Sequence, residues 1–100
     1  MNVVADSDGT VRVTGLDRLG AANCGDFKQA VLRQLHPGIG TVELDCADLR
    51  YIDSDGLGTL MVIHKHLVAA DGRVRLLQPS PVLRELLRLL RFDEVFELRP

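Results

Sequence analysis

The alternation of apolar and polar residues divides the chain into short strands and longer helices. Val3 to Ala5 and Val11 to Thr14 are β-prone runs flanking Asp6-Ser7-Asp8-Gly9, which predicts a β-hairpin. Phe27, Ala30, Val31 and Leu35 then recur at helical spacing. Asn23 stands as the helix N-cap, with Asp26 three residues on as the short form of a capping-box acid. His36-Pro37-Gly38 ends that helix, because proline disfavours helical geometry before it and glycine tolerates the turn. Thr41 to Cys46 alternates, with Val42, Leu44 and Cys46 on one face and Glu43 and Asp45 on the other, which predicts a half-buried strand.

A second helix opens at Asp53-Ser54-Asp55-Gly56, capped by Asp53 or Ser54. Its apolar stripe is Leu57, Leu60, Met61, His64, Leu67 and Val68, and Gly72 closes it. Arg73 to Leu77 is another strand. Ser80 caps a last helix with Pro81 at its first position, where the missing N–H costs nothing. Val82, Leu83, Leu86, Leu87, Leu89 and Leu90 form its apolar face, and Arg84, Arg88 and Arg91 the opposite one. Val95, Phe96 and Leu98 suit a terminal edge strand. The order β-β-α-β-α-β-α-β implies an α/β fold, with a mixed sheet of four to five strands. One domain over residues 1–100 is expected from the length and from the absence of a linker.

Composition narrows the function. The formal net charge is −2 with a pI near 5.8, and there is no Trp, so neither a basic footprint nor a stacking platform for nucleic acid is present. No apolar run reaches membrane-spanning length, and the first residues lack the pattern of a secretion signal. Cys24 and Cys46 have no CxxC partner and read as free thiols, so a cytoplasmic location is expected.

The chemistry concentrates in Leu49 through Gly58. A polar loop follows a strand and opens directly into an amphipathic helix, whose N-terminal N–H groups and partial positive charge suit a phosphoryl group on Ser54. Asp53 and Asp55 flank that serine, and Gly56 and Gly58 lack side chains that would hold a partner's backbone away. Read by local physics alone, the same residues are an ordinary helix cap and turn.

The wider pattern resembles STAS domains, specifically bacterial anti-sigma factor antagonists, whose loop commonly reads Asp-Ser-Ser-Gly-Leu-Gly. Arg18 to Asn23 is similar to the family's loop before the first helix, and Val42 to Asp45 to its central strand. Leu49 to Gly58 is similar to its phosphorylation loop, and Gly72 to Val74 and Phe92 to Phe96 to its later landmarks. The resemblance implies a STAS-type fold with three main helices on one side of the sheet. It implies a non-enzymatic switch with Ser54 as phosphoacceptor, and Asp53, Asp55, Gly56, Leu57, Gly58 and Asn23 around the docking surface. The implied partners are an anti-sigma factor with serine kinase activity, which would supply the ATP, and a serine phosphatase that resets the switch. No cofactor, nucleic acid or direct membrane insertion is implied for this chain. Asp55 departs from the family's second serine, Gly20 from its usual acid, and Arg91 from its usual glycine. The fold also serves as a small subunit beside the ATPase of a lipid-transport ABC complex, and as a signalling scaffold.

Sharper chemistry finds little support. Asp6-Ser7-Asp8-Gly9-Thr10 resembles the nucleophile loop of haloacid-dehalogenase-type phosphatases, but Lys28 and Lys65 are the only lysines and both fall in helices. Neither Asp-Ser-Asp-Gly supplies the ligands of an EF-hand. Cys46 and His64 both sit on apolar faces and read as core.

Overall fold

The computed structural model describes residues 1–100. The strands are β1 (Asn2–Ala5), β2 (Thr10–Thr14), β3 (Arg18–Leu19), β4 (Thr41–Asp45), β5 (Tyr51–Ile52), β6 (Arg73–Leu77) and β7 (Glu97–Arg99). The helices are α1 (Cys24–Leu32), α2 (Ser54–Val68) and α3 (Pro81–Leu89), with a 3₁₀ turn at Phe92–Glu94. A five-stranded sheet runs in the order β1-β2-β4-β6-β7, antiparallel at β1–β2 and parallel elsewhere. Each parallel pair is joined through a helix, as a parallel connection requires. The expected mixed sheet is therefore present, at the upper strand count. A second, two-stranded parallel sheet, β3–β5, was not anticipated.

Alternation along each strand sets the two faces apart. Val11, Val13, Val42, Leu44, Val74 and Leu76 are buried beneath the helices, in one core of 20 residues that also holds Phe27, Val31, Leu60, Ile63 and Leu87. On the other face, strand register places Arg12, Glu43, Arg75 and Glu97 in one row across four strands. Glu43 pairs with both arginines, and Arg75 also pairs with Glu97. Arg73 and Arg99 join Glu97 at 3.0 and 2.8 Å. Asp6 and Asp8 of the hairpin turn both pair with Arg12. The phosphatase-like carboxylates are thus committed to the sheet, and the repeated Asp-Ser-Asp-Gly has a different task at each position.

Several local expectations shift. α1 ends at Leu32, before Leu35, and a turn carries the chain on to His36. On α2, Ile63 is fully buried and Val68 is 54% exposed, so the buried stripe is rotated from the expected one. The residue in left-handed conformation after α2 is Asp71 (φ 58°), not Gly72. Gly72 is needed for close approach, because a Cβ there would lie 2.6 Å from the Gly40 carbonyl oxygen. The basic row of α3 is also incomplete: Arg91 lies beyond the helix, at φ 61°. An L-residue pays a steric cost there that glycine avoids. Arg91→Gly should raise stability by about 0.5–1 kcal/mol, after allowing for glycine's greater freedom in the unfolded chain. A higher midpoint of urea unfolding, with an unchanged slope, would show it.

Candidate functional site

β3 and β5 are only two residues each, yet they set the site. Their parallel pairing, Arg18 with Tyr51 and Leu19 with Ile52, brings the loop before α1 alongside the loop before α2. Asp53 then ties the two together. Its Oδ1 accepts from the Gly56 N–H at 3.0 Å, which caps α2. Its Oδ2 accepts from the Ala21 N–H at 3.1 Å and from the Tyr51 hydroxyl at 3.2 Å. Of the two candidates for the cap, Asp53 fills the role, and Ser54 becomes the first helical residue, exposed to solvent.

These bonds hold Asp53 below the usual carboxylate range, chiefly through the Gly56 N–H and then the Ala21 N–H. A depressed carboxylate contributes stability that is present above its unfolded value and lost as pH falls through the folded one. The clasp is therefore intact, and Asp53 charged, throughout the neutral range. Tyr51 is shifted up by the same contact, since its hydroxyl donates to an anion.

The two glycines of the loop differ in role. Gly56 is buried, and a Cβ there would be driven into the Leu19 carbonyl oxygen and lie 2.8 Å from its carbon. The close approach at Gly56 is thus made by the chain's own backbone, not left open for a partner. Gly58 is exposed, with nothing within 4 Å of a Cβ. Leu57 is buried under the loop. Ser54, Asp55 and Gly58 are the loop residues that face solvent.

Asn23 occupies the N-cap position of α1 but makes no cap hydrogen bond. Its side chain turns back instead, accepting from the Gly20 N–H at 3.0 Å and donating to the Arg18 carbonyl at 2.8 Å. It braces the 18–23 loop beside the clasp. Gly20 has its own reason: a Cβ there would sit 2.6 Å from Asp53 Oδ2. A side chain at this position would displace the Asp53 carboxylate or the Tyr51 ring, and an acid would add like charge beside Asp53. The sequence reading missed Tyr51 and the Ala21 N–H. Tyr51 lay within reach, since two residues along an extended segment return to the same side as Asp53.

The other candidates recede. Burial, with the nearby Asp45 charge, pushes the Cys46 thiol up to about 12, so it is protonated at neutral pH. His64 packs edge-on against Phe96, its Nδ1 buried without a partner. No group of three or more His, Cys, Asp or Glu is placed to hold a metal ion. No helix is long and apolar enough to cross a membrane.

Comparison with known proteins identifies the family. The family described as "Mlab, STAS domain" matches residues 3–100. The chain belongs to the STAS domain family. A STAS-domain containing protein of Pseudomonas aeruginosa is 29% identical over 90 residues, covering 89% of this chain and 85% of the relative. A candidate anti-sigma factor antagonist from Thermotoga maritima superposes with a TM-score of 0.85 at 23% identity, over 99% of this chain and 85% of that one. The anti-sigma factor antagonist SpoIIAA, in its unphosphorylated form, gives 0.73 at 21% identity, over 97% of this chain and 84% of that one. Its phosphorylated form, from Bacillus, gives 0.71 at 22% identity, over 97% and 88%. At these identities the likeness to the solved structures concerns the fold.

Proposed function

We propose that this chain is an anti-sigma factor antagonist, a binding protein rather than an enzyme, whose affinity for its partner is set by phosphorylation of Ser54. The observation that carries the reading is the division of labour at the start of α2. Asp53 performs the capping, so Ser54 has no capping duty and stands exposed to a kinase. The fold shared with SpoIIAA, an antagonist known in both phosphorylated and unphosphorylated forms, supports it.

The geometry also suggests how the switch acts. The helix N-terminus is the expected seat of the phosphoryl group, and one of its N–H groups, that of Gly56, serves the Asp53 carboxylate. The Ser54 and Asp55 N–H groups have no other acceptor and are the donors left for a phosphate on Ser54. It would add about −1.5 to −2 charge beside Asp53 and Asp55. A partner docked on the neutral hydroxyl would face roughly twice the local negative charge. The partner on this reading is an anti-sigma factor with serine kinase activity, and a serine phosphatase restores binding.

Asp55 favours a second reading. The exposed loop is already acidic without phosphate, which suits a permanent binding subunit, such as one beside a transporter ATPase, in which Ser54 is only the first helical residue.

One experiment separates the two. Tagged wild-type protein, Ser54→Ala and Ser54→Asp are purified from the organism that encodes them, with the mass of the Ser54 peptide read in parallel. The switch predicts a serine-kinase anti-sigma partner bound by wild type and Ser54→Ala. It also predicts binding at least about tenfold weaker for Ser54→Asp, the equivalent of one lost charge-sensitive contact. Equal binding by the two variants, with Ser54 never modified, would sink the switch and leave the permanent subunit.

A further inference from the structure

Helix α3 carries more apolar surface than the core uses. Leu83 and Leu87 point inward, whereas Val82, Leu89 and Leu90 are 81%, 66% and 48% exposed. With Leu86 between them, these residues form a second apolar stripe beside the buried one, at helical spacing. The N-terminal half of this stripe borders a groove of about 510 Å³, lined by Leu49, Tyr51, Ile52, Val82, Leu83 and Leu86. The exposed Leu89 and Leu90 lie at the other end of the same helix. A hole at one end of an element and apolar plugs at the other are what a two-fold contact needs, since each copy then fills the other.

We propose that this face binds a second copy of the chain, with α3 packed antiparallel against α3 about an axis near Leu86. In that register Leu86 meets Leu86, Val82 meets Leu90, and Leu89 enters the groove of the opposite protomer. The charges obey the same symmetry. Glu85 and Arg88 form an exposed i,i+3 pair on one flank of the stripe. They lie either side of the same axis, so Glu85 of one protomer faces Arg88 of its partner and the reverse.

The area is also of the right order. Val82, Leu86, Leu89, Leu90 and Tyr51 leave roughly 400–500 Å² of apolar surface, at the level where a monomer's largest patch is often functional. Doubled, and with the polar rim included, this approaches the ~1,000 Å² expected of a specific interface. The contact would reach the loop before α2, because Tyr51 both borders the groove and donates to Asp53. The proposal stands independently of any role for Ser54.

Sedimentation velocity over a concentration series tests it. Wild type should show a monomer–dimer equilibrium. Val82→Glu and Leu89→Glu should each weaken the dimer by about 30-fold or more, the loss expected for an interface anchor. Their unfolding midpoints should stay near wild type, because both side chains are largely exposed. Glu85→Arg and Arg88→Glu should each weaken the dimer, and the double variant should restore it by exchanging the charges. A wild-type protein that stays monomeric up to about 1 mM, the limit of weak association, would overturn the proposal and leave the face to another protein or to solvent. So would a Val82→Glu variant that dimerises like wild type. A double charge variant that fails to recover would refute the antiparallel register.

Discussion

Gly56→Ala should destabilise the protein by about 1–3 kcal/mol, although alanine is the better helix former by about 1 kcal/mol. The reason is tertiary. Gly56 sits in the first turn of α2 directly against the Leu19 carbonyl of β3, and an added Cβ would also come within 3.0 Å of Ile52 Cγ1. Backbone on one side and a core side chain on the other leave little to yield. Either α2 moves outward or the β3–β5 pair separates, and both movements pull on the Asp53–Gly56 and Asp53–Ala21 bonds. Gly58→Ala provides the control. It lies two residues further along the same helix, with nothing within 4 Å of a Cβ, so only the propensity gain should register. Thermal unfolding should show opposite shifts: roughly 5–15 °C down for Gly56→Ala and a few degrees up for Gly58→Ala. Two shifts of the same sign would mean that the contact with Leu19 is not what excludes a side chain at position 56. The pair also bears on Ser54, because loss of the cap would let the start of α2 fray and cost the exposed serine its fixed placement.

Glu43→Ala is expected to cost about 1–3 kcal/mol, more than the loss of any other acid on the open face of the sheet. Glu43 is a carboxylate on a central strand, its side chain only 9% exposed, and it bridges Arg12 and Arg75. Removing it orphans neither arginine, since Asp6 and Asp8 still hold Arg12 and Glu97 still holds Arg75. That keeps the loss below the full penalty of a broken buried pair. Glu97→Ala should cost less, because Glu97 is 25% exposed and lies on an edge strand. Denaturant unfolding in low and high salt separates the two, with the Glu97 contribution screened more strongly. Near-equal losses for the two variants would mean that burial does not set the weight of this row. The pH dependence has a definite sign. Glu97 is held below the usual carboxylate range, first by its bond from Arg75. Its contribution is full above its unfolded value and disappears as pH falls through the lower, folded one.

How far the sequence reached follows from the range of each interaction. Strands β2, β4 and β6, helices α1 to α3, and the Ser80 cap with Pro81 after it were all legible. Each rests on a period of two or 3.6 residues or on a cap within three residues. The exposed serine loop was legible for the same reason, since Asp53 through Gly58 are consecutive. The short pair β3–β5 was not, because two residues carry no periodicity. The left-handed turn at Arg91 has no local signal in arginine itself, and only the departure from the family's usual glycine pointed to it.

The sequence by itself determined the longer strands and the three helices, which strand faces are apolar, and that a serine opens α2 between two acids. Only the tertiary structure decided what holds that serine in place. Asp53 reaches Ala21, 32 positions away, and Gly56 is required by Leu19, 37 positions away. Arg12, Glu43, Arg75 and Glu97 likewise meet because three helical crossovers bring their strands into register. Local periodicity is written in neighbouring residues, whereas contacts of this kind exist only once the sheet has fixed which distant residues stand opposite one another.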